Sequence, residues 1–262
     1  MSTQRLWYIF GTIGLISTIF LVFGLITGIR DVLSSHNEIN SILQVEGTPP
    51  PAEQLGSESK LIVSAYGDSL TKGTGDENLK GYVGYLQDSM SKRGQKVQFT
   101  NFAINGYTSV QLLNDLTEHK GMKEMIAKSD VILLTIGGND LYRPSRDVAA
   151  TPEAFKERSK PALERVQKIF QEIRSANPEM ILVYTGLYNP FRYTKAGEAF
   201  DPYVQDWNSK IQEMLVNDSK AIFVPSADLF LRNTKTYLSQ DLYHPNGKGY
   251  QRMAARVLQV LE

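Results

Sequence analysis

Ser69, Asp241 and His244 are the residues of this sequence whose types best suit covalent catalysis. A serine hydroxyl is a weak nucleophile at neutral pH and needs a neighbouring base to take its proton. Histidine is the side chain whose ordinary pKa lies nearest to that pH. Of the three histidines in the chain, only His244 follows a carboxylate by three residues. The spacing predicts a triad in which Asp241 holds one ring nitrogen of His244 and the other faces Ser69.

Attack of a serine on a carbonyl carbon also needs donors for the negative charge that develops on the carbonyl oxygen. Gly106 lies in the tripeptide Asn-Gly-Tyr, and Asn139 lies in the tetrapeptide Gly-Gly-Asn-Asp. We expect the backbone N–H groups of Ser69 and Gly106 and the side-chain amide of Asn139 to form this oxyanion hole. A glycine suits the position because a backbone without a side chain lets a substrate approach closely.

Each of these residues also fits a purely structural role. Ser69 is a good N-cap for a following helix. Gly106 and Asn139 are typical turn residues, and Asp241 and His244 also fit the cap of the last helix.

A metal site is the other chemical interpretation of Asp241 and His244, with Asp68 as a third ligand. Two carboxylates and one histidine, without a second histidine, make a poor zinc site. The chain has no cysteine, which excludes disulfides, thiolate metal sites and cysteine nucleophiles. We expect neither a metal nor an organic cofactor.

The elements that carry these residues alternate between strands and helices. Continuous apolar strands are predicted at residues 61–66, 97–104, 130–136, 180–186 and 221–224. Helices are predicted at residues 82–93, from about 109, and at 152–176, 202–216 and 246–261. This alternation is typical of a parallel sheet covered on both faces. With right-handed crossovers it predicts a three-layer α/β/α domain with a five-stranded parallel sheet. Ligands bind at the carboxyl ends of such strands, where Ser69, Gly106 and Asn139 lie.

Four short blocks of the sequence together resemble the GDSL, or SGNH, hydrolase family. They are Gly-Asp-Ser-Leu at 67–70, the glycine at 106, Gly-x-Asn-Asp at 137–140 and Asp-x-x-His at 241–244. All four occur in the family's order, and the resemblance extends from about residue 61 to the C-terminus. It implies a flavodoxin-like α/β/α fold and a serine esterase or lipase that needs no cofactor. Each block supplies the residue to which the chemistry above assigns a role.

Apolar and aromatic residues in the loops near these blocks are candidates for binding the acyl group. They are Leu141, Tyr188, Phe191 and Tyr243, with Tyr142 and Pro190 beside them. Aromatic residues at the start of a loop also commonly serve as packing.

The N-terminal segment has the composition of a membrane anchor. The 24 residues from 6 to 29 include no charged side chain, and a helix of this length spans the ~30 Å hydrocarbon core of a bilayer. A cleaved signal peptide has a shorter apolar region that ends at small residues. We therefore expect an uncleaved transmembrane helix at residues 1–30. Arg5 before the span favours an orientation with the rest of the chain outside the cytoplasm. Secretion after cleavage is the alternative.

Residues 31–59 are expected to form a tether between this anchor and a hydrolase domain at 60–262. The second half of the tether reads GTPPPAEQLGSES. Three consecutive prolines favour an extended polyproline geometry, which makes a semi-rigid spacer.

The balance of charge narrows the classes of partner. Lys and Arg together number 28, as do Asp and Glu, whereas proteins that bind nucleic acid usually carry a basic excess. The expected partners are a small-molecule or lipid ester and a membrane. Two further functions remain open: a carbohydrate O-acetyl esterase or acetyltransferase at the cell envelope, and a membrane-tethered binding module without catalysis.

Overall fold

The computed structural model describes residues 17–18, 60–142 and 151–262. The strands and helices below lie in one compact unit, Glu58–Glu262. Within the described ranges, no helix combines the length and the apolar character that a membrane span requires. The expected anchor at 1–30, except for residues 17–18, and the expected tether at 31–59 lie outside the described residues, so both stay predictions.

The described chain folds around a sheet of parallel strands. The strands are β1 (Leu61–Gly67), β2 (Val97–Asn101), β3 (Val131–Thr135), β4 (Ile181–Thr185) and β5 (Ala221–Val224). Their order across the sheet is β2-β1-β3-β4-β5, and each neighbouring pair is parallel. The prediction of an α/β fold with a five-stranded parallel sheet is confirmed.

Helices connect these strands. They are α1 (Ser69–Lys72), α2 (Gly81–Lys92), α3 (Ser109–Glu118), α4 (Lys120–Ala127), α5 (Gly138–Tyr142), α6 (Pro152–Ala176), α7 (Asp201–Leu215), α8 (Thr234–Tyr237) and α9 (Gly247–Leu261). Two short 3₁₀ helices occupy Gly197–Phe200 and Ala227–Phe230.

The sheet separates two apolar cores, one on each face. On β3, Ile132 and Leu134 belong to one core and Val131 and Leu133 to the other, as the two-residue period of a strand requires. Helices α3, α4, α6 and α7 cover the first core, and α2 and α9 cover the second. Burial on both faces explains the continuous apolar sequence of β3, whereas the edge strand β2 reads Val-Gln-Phe-Thr-Asn and is only partly buried.

The second strand ends earlier than predicted, at Asn101 instead of residue 104. The side chain of Asn101 turns the backbone, because its Oδ1 accepts a hydrogen bond from the N–H of Ala103 at 3.0 Å. Its Nδ2 donates to the carbonyl oxygen of Thr71 at 2.7 Å. The end of β2 is therefore fastened to the segment that follows β1.

The strand order places a switch point between β1 and β3. The chain leaves β1 to form β2 on one side, and later returns to form β3 on the other side. Gly67 and Thr135 are register partners at the carboxyl ends of these two strands. In doubly wound sheets the ligand crevice lies at such a point, and α1 and α5 begin on either side of it.

Candidate active site

His244 joins Ser69 to Asp241 through its two ring nitrogens. Its Nε2 lies 2.9 Å from Oγ of Ser69, and its Nδ1 lies 2.6 Å from Oδ2 of Asp241. Ser69 is the first residue of α1, directly after β1, whereas the other two residues lie in the loop before α9. The structure therefore brings the three predicted residues together at the carboxyl edge of the sheet.

The loop around Asp241 holds its carboxylate firmly. Oδ1 accepts hydrogen bonds from Oγ of Ser239 at 2.7 Å and from the backbone N–H groups of Tyr243 and His244, both at 2.9 Å. Burial acts to raise the pKa of Asp241, but the hydrogen bonds from His244 and Ser239 outweigh it and lower the pKa to about 2. Leu242 has a φ of 54°, in the left-handed region that few residues other than glycine adopt. The carboxylate is thus ionised at neutral pH and held in a tight turn.

Ser69 is positioned by its neighbour Asp68. Asp68 is the N-cap of α1, the role that we considered for Ser69. Its Oδ1 accepts hydrogen bonds from the N–H of Leu70 at 3.0 Å and from Oγ1 of Thr135 at 2.7 Å. These bonds connect α1 to β3. Asp68 is only 2% exposed, and this burial raises the pKa of its carboxyl group to about 7.

Hydrogen bonds already engage the carboxylates of the metal interpretation: Oδ1 of Asp68 caps α1 and accepts from Thr135, and both oxygens of Asp241 accept within their own loop. In the part of the chain that the structure describes, no group of three or more His, Asp or Glu side chains is placed to hold a metal ion.

The two predicted oxyanion donors outside α1 line the same groove as Ser69. Asn139 is the second residue of α5, and its Nδ2 donates to the carbonyl oxygen of Tyr107 at 2.9 Å. A side-chain amide has two N–H donors, so the second one remains for a ligand. Gly106 has a φ of 74°, and no atom lies within 4 Å of the position that a Cβ would occupy. Its backbone therefore borders open space, as an oxyanion donor must.

Two spaces of different size meet at Ser69. The larger is an open groove of about 540 Å³ that also contains His244. Its other walls are the apolar and aromatic residues Tyr142, Phe191, Tyr193, Leu242 and Tyr243, and the polar or glycine residues Thr74, Asn105, Gly106, Asn139 and Asp241.

The smaller space is a narrow pocket of about 20 Å³ that is also open to solvent. Its walls are Asp68, Ser69, Leu70, Gly138, Asn139, Tyr142, Leu187, Tyr188, Pro190 and Tyr243.

Hydrogen bonds between aromatic residues stiffen the walls of the narrow pocket. Oη of Tyr188 donates to the carbonyl oxygen of Tyr243 at 2.6 Å. Oη of Tyr142 donates to the carbonyl oxygen of Tyr188 at 3.0 Å. The ring of Tyr188 also stacks on Phe230, with 4.1 Å between the ring centres. These contacts leave little freedom for the pocket to widen.

The predicted acyl-binding residues do not all reach these spaces. Tyr188 lines the narrow pocket, Phe191 lines the groove, and Tyr243 lines both. Leu141 lines neither, because it is 1% exposed and packs in the core. It follows Asn139 by two positions on a helix, which puts the two side chains on different faces.

Thr74 and Asn105 are groove residues that the sequence analysis did not identify. Oγ1 of Thr74 donates to Oδ1 of Asn105 at 2.6 Å. Asn105 adjoins Gly106 in the sequence, and that adjacency was the available signal. Thr74 carried none, because it follows the helix of Ser69 in an ordinary turn.

Comparison with known proteins gives consistent matches. Residues 65–252 match the GDSL-like Lipase/Acylhydrolase family. The protein YpmR of Bacillus subtilis is 37% identical over 218 residues, which cover 80% of this chain and 85% of YpmR. The spore germination lipase LipC of Bacillus licheniformis is 30% identical over 206 residues, which cover 75% of this chain and 94% of LipC.

Solved structures show the same architecture. The lipase Lip_vut3 from a goat rumen metagenome is 26% identical, with a TM-score of 0.65 over 76% of this chain and 96% of the lipase. A family 3 carbohydrate esterase of Clostridium thermocellum is 18% identical, with a TM-score of 0.58 over 78% of this chain and 99% of the esterase. The second match is a likeness of fold alone.

Proposed function

Because the chain belongs to the GDSL-like lipase/acylhydrolase family, we propose that it hydrolyses carboxylic esters through an acyl intermediate on Ser69. One observation carries this mechanism: the continuous contacts from Asp241 through His244 to Ser69, at 2.6 and 2.9 Å. A helix cap or a turn would not require a histidine between a carboxylate and a serine hydroxyl.

In the first half of the reaction, Oγ of Ser69 attacks the ester carbonyl carbon while Nε2 of His244 takes its proton. Asp241 accepts a hydrogen bond from Nδ1–H, which fixes the tautomer and stabilises the imidazolium. The oxyanion receives hydrogen bonds from the N–H groups of Ser69 and Gly106 and from Nδ2 of Asn139. His244 then gives its proton to the leaving alcohol as the C–O bond breaks.

In the second half, a water molecule attacks the acyl group on Ser69 and gives a proton to Nε2 of His244. The bond between Oγ and the acyl carbon breaks, Oγ takes the proton back, and the carboxylic acid leaves. An alcohol in place of water would give acyl transfer with the same groups.

The two spaces at Ser69 favour a short acyl group. The leaving oxygen must reach Nε2 of His244 for its proton, and His244 lines the groove and not the narrow pocket. The alcohol part of the ester therefore occupies the groove, and the acyl part points into the narrow pocket, where a short acyl group fits best. This arrangement supports an O-acetyl esterase as the second candidate, whereas the similarity to a lipase supports longer acyl chains.

We propose further that residues 1–30 anchor the protein in a membrane with its hydrolase domain outside the cytoplasm. The support is the uncharged sequence of residues 6–29. In cell fractions washed with carbonate, the full chain should stay in the membrane pellet, and a chain without residues 1–30 should not. Release of both chains would contradict the anchor, and a shortened mature chain would indicate cleavage.

The function is tested with the full chain in mild detergent and a series of nitrophenyl esters from acetate to palmitate. We expect turnover, its loss in the Ser69→Ala variant, and covalent labelling of Ser69 by a fluorophosphonate. The matched control is Ser226→Ala, which removes another buried hydroxyl, one bonded to the carbonyl oxygen of Gly186. Equal turnover in the Ser69→Ala variant would exclude Ser69 as the nucleophile. A folded chain that is neither active nor labelled would favour the binding module.

A further inference from the structure

We infer that Asp140 and Arg165 are positioning residues that align two of the three oxyanion donors, Gly106 and Asn139. The inference rests on the proposed function, since it concerns how the same site is held. It assigns a role in the reaction to two charged residues that touch neither the substrate nor the triad.

The sheet does not by itself align the two donors. Gly106 follows β2 and Asn139 follows β3, and β1 lies between these strands. The two strands are therefore about 10 Å apart, and no ladder hydrogen bond joins them. Oxyanion donors must be preorganised around the position of the developing charge. Contacts between the two loops have to provide that alignment.

Asp140 makes the first of these contacts with Ser109, the first residue of α3. Its Oδ2 accepts a hydrogen bond from the backbone N–H of Ser109 at 2.8 Å, and its Oδ1 accepts one from Oγ of Ser109 at 2.6 Å. Ser109 follows Gly106 by three residues, and Asp140 directly follows Asn139. The carboxylate thus links the helix that follows one donor to the residue beside the other.

Asn139 makes the second contact between α5 and the segment after β2, through the hydrogen bond from its Nδ2 to the carbonyl oxygen of Tyr107. Two consecutive residues of α5 therefore reach two residues of the segment after β2. These parallel links fix both the distance and the orientation of that segment relative to α5.

Arg165, from the long helix α6, joins both partners at once. Its Nε donates to Oγ of Ser109 at 2.7 Å, and its Nη2 donates to Oδ1 of Asp140 at 3.1 Å. The Asp140 side chain is 3% exposed, and a carboxylate that is so deeply buried is costly unless it is paired. A planar guanidinium can span the two acceptors, whereas the single ammonium of a lysine cannot hold both in the same geometry.

The first experiment compares steady-state kinetics of Arg165→Met, Arg165→Lys and Asp140→Asn with the unaltered chain. We expect Arg165→Met to lower kcat about 10- to 100-fold with KM changed less than about threefold, because misplaced donors weaken only the transition state. Arg165→Lys should recover part of this loss.

Arg174→Met is the matched control. Arg174 lies on the same helix, has a similar exposure and pairs with Asp218 at 2.8 Å. It also donates to the carbonyl oxygens of Met180 and Lys220, directly before β4 and β5, so it lies at the edge of the sheet opposite to Ser69. Its loss should lower the thermal midpoint but leave kcat within about threefold, as expected of a distant site. An equal fall in kcat for Arg165→Met and Arg174→Met would overturn the inference.

The second experiment repeats Arg165→Met in the Asn139→Ala background. With the Asn139 donor gone there is less to align, so Arg165→Met should now lower kcat by only about threefold, a clear departure from additivity. The same factor in both backgrounds would overturn the inference. If Arg165→Met does not fold, Ser109→Ala, which removes only one hydroxyl of the cluster, replaces it with the same expected pattern. Failure of the proposed function is recognised separately, by turnover that survives Ser69→Ala.

Discussion

Nε2 of His244 lies 2.9 Å from Oγ of Ser69 although 175 positions of the chain separate the two residues. The contact depends on α9, which follows His244 and packs beside α2. Oη of Tyr250 in α9 donates to the carbonyl oxygen of Thr74 at 2.7 Å, close behind the helix of Ser69. The triad is therefore assembled by the packing of the C-terminal helix.

Asp241→Asn should lower kcat by about 10³- to 10⁴-fold with little change in folding, because an amide can donate to Nδ1 and so favours the wrong tautomer of His244. Ester turnover of the purified variant measures the effect. Ser239→Ala removes only one of the hydrogen bonds to Oδ1 of Asp241 and serves as a milder control. It should lower kcat by less than about tenfold. Undiminished turnover in Asp241→Asn would mean that this carboxylate does not orient the histidine.

Asp68 should make the stability of the folded protein depend on pH. Its pKa is raised from the ordinary 3.8 to about 7 in the folded state, chiefly by burial. Between these values the folded protein keeps a proton that the unfolded chain has lost. The contribution of Asp68 to the free energy of unfolding is therefore largest below about pH 4 and decreases as the pH rises to about 7.

Asp68→Asn keeps an oxygen for Leu70 and Thr135 but cannot ionise. We expect the stability of this variant, relative to the unaltered chain, to increase steadily from pH 4 to pH 7. Urea denaturation at several pH values gives the difference in the free energy of unfolding between the two proteins. The contributions of all other titrating groups cancel in this difference. A difference that is constant across this range would show that Asp68 is ionised in the folded protein at all of these pH values.

Gly137→Ala and Gly106→Ala should separate stability from activity. A Cβ at Gly137, where φ is 109°, would lie 2.4 Å from the ring of Trp207, so we expect a loss of about 2 kcal/mol or more. A Cβ at Gly106 meets no atom within 4 Å, and the cost should be about 1 kcal/mol of backbone strain. Thermal denaturation should rank the two in this order. Gly106→Ala should nevertheless lower kcat, because the methyl group borders the groove.

Leu187→Ala should change the acyl preference of the enzyme. Leu187 is a wall of the narrow pocket, and its truncation makes room for longer acyl chains. The ratio of kcat/KM for butyrate to that for acetate should rise by about tenfold. Leu182→Ala is the control, because Leu182 is equally buried on β4 but lines neither space. Both variants should be destabilised by about 2–5 kcal/mol, and an unchanged ratio in Leu187→Ala would place the acyl group elsewhere.

Much of the fold could be predicted from the sequence, because the relevant signals are local. Runs of apolar residues such as those of β3 report burial on both faces, and the alternation of strands and helices requires parallel pairing. The pairing of Asp241 with His244 could likewise be predicted, because the two residues lie three positions apart in a single loop. The position of Ser69 after a strand follows from the same local patterns.

Other features depend on which elements become neighbours, which local patterns do not specify. The placement of β1 between β2 and β3 is one of them. It separates Gly106 from Asn139 and creates the need for the contacts of Asp140 with Ser109 and Arg165. The burial of Leu141 is another, because its helix is too short for a periodic signal. Hydrophobic periodicity indicates which residues are buried. Which residues they contact is decided by how whole helices and strands pack against one another.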